Sequence, residues 1–145
     1  MNSEQKPYHF KRLILELRNG QELILDALKE ISPAIRSYKN VKPKLRDLEK
    51  ILLDHFERQN RQTFDVLEKV VNIGGQIGSD AKFLLQDFKE IKVKTLIFIE
   101  DHPADMGDIN PKNFVSDFRD FSSSLALRIE VEKSLLIPIL ESLTF

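Results

Sequence analysis

The chain contains no cysteine, which excludes disulfides, thiolate metal sites, iron–sulfur clusters, covalent c-type haem and thiol catalysis together. That absence suits a reducing compartment. Five Gly and six Pro in 145 residues are too few for a disordered or fibrous chain. An excess of one charge is also missing. Twenty-two Lys and Arg stand against 23 Asp and Glu, for a net charge of −1 with no Lys/Arg block, so charge favours neither nucleic acid nor an anionic membrane as partner. No uncharged apolar run approaches ~18 residues. The segment MNSEQKPYHFKR lacks the apolar core of a signal peptide. The expectation is a cytoplasmic protein with one domain, residues 1–145, long enough for a single substantial core.

What is present is helical periodicity. Phe10, Ile14, Leu17, Ile24, Leu28 and Ile31 alternate at spacings of four and three, which predicts a first helix from Pro7 to Ile31. One place in the row is polar, at Gln21. Gly20 beside it either weakens the helix by about 1 kcal/mol or lets a neighbouring helix approach closely. Ser32 to Pro43, with two prolines and Asn40, reads as a connection. A second helix from Lys44 to Val71 buries Leu45, Leu48 and Leu52, and its row continues through His55 and Gln59 to Val66 and Val70. The glycine-rich NIGGQIG, residues 72–78, is a predicted break, with Ser79 or Asp80 capping a third helix that runs to Glu100. It is not a phosphate loop, because no Lys-Ser/Thr follows and no strand precedes it. The third helix turns Ala81, Leu84, Phe88, Ile91, Thr95 and Phe98 inward. Val93, Leu96, Ile97 and Ile99 make its last turns apolar on more than one face, which predicts deep burial, or else a partner surface.

DHPADMGDIN, residues 101–110, lacks EF-hand spacing and reads as a solvated loop. His9 and His102, near helix ends, are expected at the solvent. Pro111 suits the first turn of a fourth helix from Asn113 to Leu143, in which Pro138 should kink or end the regular hydrogen bonding. Phe114, Phe118, Phe121, Leu125, Leu135 and Ile139 share one face of it, and the same row passes through Arg128 and Glu132. A charged pair inside an apolar seam is costly unless its members pair with each other.

Four helices with mostly short connections predict an all-α, antiparallel up-down-up-down four-helix bundle. Facing helices would bring Gln21, His55, Gln59, Arg128 and Glu132 into one interior polar layer, with Ala81 leaving a small side chain on the remaining helix. A layer of this kind is where chemistry would occur. No enzymatic alternative is legible: there is no readable Ser-His-acid arrangement, Ser122, Ser123 and Ser124 form a small-residue patch, and Glu130 and Lys133 read as a solvated face.

The sequence around this layer resembles the hemerythrin-like, or HHE cation-binding, family over nearly the whole chain. LRNGQELI (residues 17–24) is similar to its first motif, with Gln21 where the family has His. LLDHFERQNRQTFDVLE (52–68) is similar to the second, matching at His55, Phe56, Phe64 and Leu67, with Gln59 in place of a metal-bridging Glu. SDAKFLLQDF (79–88) suits the third, with Ala81 at a His position. LRIEVEKSLLIPIL (127–140) suits the fourth at Ile129, Glu132, Leu136, Pro138 and Ile139, with Arg128 in place of His. The resemblance implies a four-helix bundle and, in the family, a carboxylate-bridged di-iron centre that binds oxygen or senses iron and redox state.

Only His55 and Glu132 remain at matching ligand positions, and Arg128 puts a permanent positive charge beside any cation. The expectation is therefore a non-catalytic bundle without a metal or other cofactor, acting as a protein-binding or regulatory module. Arg128 would replace the metal charge by pairing with Glu132 and donating to Gln21 or Gln59. The alternative keeps a residual iron or other metal site at His55 and Glu132, completed by Gln59, His9 or solvent. The last predicted helix is also loosely similar to the regulator of sigma D family at Asp120, Leu127, Arg128, Glu132 and Leu136, which would imply a sigma-factor partner. A phosphotransfer role conflicts with an inward His55. The apolar end of the third helix and the segment from Leu135 to Leu143 permit a homodimer.

Overall fold

The computed structural model describes residues 6–102 and 113–143, with side chains from residue 10 onward except those of 38 and 39. Regular structure among these residues is entirely helical. The elements are α1 (Lys6–Ala34), α2 (Tyr38–Gln62), α3 (Phe64–Ile73), α4 (Gly75–Asp101), α5 (Phe114–Val131), a π-helical turn at Glu132–Leu136 and α6 (Ile137–Ser142). Residues 103–110, Pro111 and the His9 side chain, all subjects of sequence-based expectations, lie outside the described residues. No described helix is long and apolar enough to cross a membrane.

The connection expected from Ser32 to Pro43 shrinks to residues 35–37, because both prolines are absorbed into helices. Ile35, the first residue of the turn, and Val41 on α2 are buried, so packing outweighs the local cost of Pro33 and Pro43. The expected second helix is interrupted at Thr63, whose φ of −111° departs from the helical mean while ψ stays at −24°. The Thr63 hydroxyl donates to the Gln59 carbonyl at 2.6 Å, and back-bonding of this kind bends helices. The glycine-rich break contracts to Gly74, where φ is 81°. A positive φ there reverses the chain without a Cβ penalty, and α4 begins at Gly75 rather than at Ser79 or Asp80.

α1 packs along α2, α3 along α4 and α4 along α5, while the turns after Val131 contact α1 and α4. The core forms two apolar clusters. One contains Ile24, Leu28, Leu48, Leu52, Phe88 and Phe118. The other contains Phe10, Leu17, Leu67, Ala81, Leu84 and Leu136. Between the chain segments that build them lie Gln21, His55, Gln59, Arg128 and Glu132.

The long helical run from Phe114 to Ser142 carries its anomaly upstream of Pro138 rather than at it. Proline has no N–H to donate and its ring crowds the carbonyl of Ser134, four residues earlier. The helix accommodates this by widening to i→i+5 hydrogen bonding over Glu132–Leu136. One residue is thereby added to a turn, and Leu136 takes the fully buried position while Leu135 is only partly buried. The expected inward Leu135 is corrected accordingly. Val93, Leu96 and Ile97 are also corrected: they are 55%, 48% and 53% exposed, because among the described residues α4 finds its neighbours on the face that carries Leu84, Phe88, Ile91 and Phe98.

Candidate functional site

Glu132 opens the π turn and its side chain is wholly buried. Four side chains from three helices converge on its carboxylate. Gln21 Nε2 on α1 donates to Oε1 at 3.0 Å. On α2, His55 Nε2 lies 3.1 Å from Oε1 and 3.3 Å from Oε2, and Gln59 Nε2 donates to Oε2 at 2.6 Å. Arg128 Nε, one turn earlier on α5, donates to Oε2 at 3.1 Å. A carboxylate offers about four lone-pair directions, and four donors occupy them.

Arg128 is equally engaged. Besides Glu132, its Nη2 donates to Gln59 Oε1 at 2.6 Å, and its Nη1 donates to Asp87 Oδ2 at 3.0 Å and to the Leu84 carbonyl at 3.5 Å. The guanidinium carbon stands 5.7 Å from the centre of the Phe88 ring, within cation–π range. Gln59 thus donates to the anion and accepts from the cation, closing the Arg128–Glu132–Gln59 contacts into a ring. Burial opposes the charge of Glu132. The hydrogen bond and attraction of His55, the charge of Arg128 and the Gln21 amide outweigh that opposition and hold its carboxyl at about 2, below the usual 4.5.

The other four residues expected in the interior layer all bond Glu132. Of the two amides expected to accept from Arg128, Gln59 does so, while Gln21 bonds Glu132 directly. Ala81 belongs to the neighbouring apolar cluster, and α4 meets the layer through Leu84 and Asp87. Asp87 was missed because it sits beside the inward row of α4, at Leu84, Phe88 and Ile91, and only a long Arg side chain reaches it.

The His55 ring lies against Gly20 of α1, whose missing Cβ makes the close approach possible. A Cβ there would overlap Nδ1 and stand 3.0 Å from Cε1. His55 also borders a groove of about 390 Å3 lined by Glu16, Lys50, Asp54 and Arg58. In that groove Arg58 pairs with both Glu16 and Asp54 at 2.9 Å.

His102 departs from its expected solvent position. It is buried, its Nε2 is 2.8 Å from Asp117 Oδ2, and its ring packs 5.1 Å from Phe98 and 5.4 Å from Phe114, centre to centre. The pair ties the end of α4 to the first turn of α5.

Among the described residues, no group of three or more His, Asp or Glu side chains is arranged to hold a metal ion. The di-iron centre of the hemerythrin-like resemblance does not fit these residues. Gln59 stands where the resemblance would need a bridging carboxylate, Glu132 is saturated by donors, and a guanidinium contacts it at 3.1 Å.

No family model matches the chain. Comparison with curated proteins and with solved structures likewise finds no match.

Proposed function

We propose that this chain is a non-catalytic, hemerythrin-like bundle whose internal layer carries its own cation in place of metal ions, and that it works as a protein-binding or regulatory module. The proposed arrangement is up-down-up-down, its four rods being α1, α2 with α3, α4, and α5 continued through the π turn and α6. The observation that carries this reading is the saturation of Glu132. Its four acceptor directions are taken by Gln21, His55, Gln59 and Arg128, so the layer has no open ligand position for chemistry. Burying Arg128 and Glu132 is tolerable because each is paired and hydrogen-bonded. With the interior closed, partner recognition falls to the outer faces of the helices.

Elemental analysis tests the reading on protein purified without chelator and again after anaerobic iron loading. The expected content is below roughly 0.1 metal per chain in both samples. One tightly held ion per chain would overturn the reading and move the question to a site at His55 and Glu132.

A further inference from the structure

We infer that the outward face of α4 pairs with the same face of a second copy of this chain, antiparallel and about a two-fold axis. The inference rests on the reading of the protein as an interaction module and names its partner.

Val93, Leu96 and Ile97 are each about half exposed and lie within five residues. Leu15, Leu23, Leu53, Ile73, Phe83 and Leu127, the other large apolar side chains exposed among the described residues, are scattered along the chain. Isolated exposed apolar residues are ordinary, whereas a contiguous group marks a contact surface.

The charges bordering the group identify the occupant. Lys89, Val93, Leu96 and Glu100 follow one another at spacings of four, three and four, so they form one stripe along the helix. That spacing reads the same in both directions. An antiparallel copy, rotated about an axis midway between Val93 and Leu96, sets Val93 against Leu96 twice and Lys89 against Glu100 twice. A two-fold contact requires this kind of self-complementarity. A parallel copy would oppose Lys89 to Lys89 and Glu100 to Glu100. Both charged residues are exposed, and no ion pair within the chain engages either among the described residues. Ile97 falls opposite Lys92 in the same register and covers its aliphatic stem. Because the apolar centre is small beside the ~800 Å2 per partner of a standard interface, association is expected at micromolar concentration.

Sedimentation velocity over about 1 to 200 µM tests the pairing, a range that brackets micromolar dissociation. The expected result is a monomer–dimer equilibrium that Ile97→Asp abolishes. Lys89→Glu should weaken it about tenfold, by replacing two attractive contacts with two repulsive ones, and adding Glu100→Lys should restore it. Circular dichroism confirms that each variant stays folded, as expected for exposed positions. A chain that is monomeric throughout, or a dimer indifferent to these substitutions, overturns the inference. Neither result touches the reading of the interior layer, which fails only if stoichiometric metal is found, whatever the oligomeric state.

Discussion

Arg128 Nε donates to Glu132 Oε2 across 3.1 Å from the preceding turn of the same helical run, with both side chains buried. Opposite charges at this spacing on an exposed helix stabilise it by a few tenths of a kcal/mol. Inside the protein the arithmetic changes, because removing either partner takes hydrogen bonds from a charge held away from water. Arg128→Leu is expected to cost about 3 to 5 kcal/mol, and Glu132→Leu less, since Asp87 still pairs with Arg128 at 3.0 Å. The double substitution should cost less than the sum, with a coupling on the order of 2 kcal/mol. Urea unfolding of the four proteins measures the cycle. An unchanged midpoint for Arg128→Leu would mean that the pair contributes nothing to the fold.

The same carboxylate makes stability depend on pH in a defined window. The carboxyl of Glu132 is held at about 2 in the folded protein, against an ordinary 4.5. A depressed pKa means that folding favours the ionised form, so the stabilisation is fully present above about 4.5 and is lost as pH falls through about 2. The amount is on the order of 3 kcal/mol for a shift of this size. Unfolding measured at pH 6, 4, 3 and 2 should show wild type losing this contribution, while Glu132→Gln, with no carboxyl to titrate, lacks the step. Parallel pH profiles for the two proteins would place the acid sensitivity elsewhere.

Leu135 and Leu136 separate what the sequence discloses from what it hides. The apolar rows of α1, α2, α4 and α5 repeat at the α-helical period, so Leu17, Leu52, Leu84 and Phe118 were legible as core. Gln21, His55, Gln59, Arg128 and Glu132 were legible because they interrupt those rows. Leu135 and Leu136 stand three and four residues beyond Glu132, both on its face of a helix, so the period alone does not choose between them; in the structure the π turn carries Leu136 inward. His102 was illegible for a different reason: its burial depends on Phe114 and Asp117, brought back to it from beyond the connection between α4 and α5. The exposure of Val93 and Ile97 depends on where neighbouring helices pack among the described residues, which their own segment does not record. Leu136→Ala is expected to cost about 3 to 4 kcal/mol and Leu135→Ala less than about 1.5 kcal/mol. Thermal or urea unfolding of the pair decides which leucine enters the core, and the reverse order would put Leu135 there in place of Leu136.

Gly20 and His55 give the sharpest test of how tightly α1 and α2 close around the layer. Glycine inside an exposed helix is worth about 1 kcal/mol less than alanine, so propensity alone predicts that Gly20→Ala stabilises the protein. The structure predicts the opposite sign, because the new methyl group would overlap His55 Nδ1. The ring cannot retreat without loosening the contact of Nε2 with Glu132, and overpacking of this kind costs about 1 to 3 kcal/mol. In a His55→Ala background the obstruction is gone, and Gly20→Ala should become stabilising by up to about 1 kcal/mol. Unfolding free energies for the two single variants and the double variant read out this reversal. If Gly20→Ala stabilises the wild-type chain as well, His55 does not rest on α1, and its bond to Glu132 is not held in place from that side.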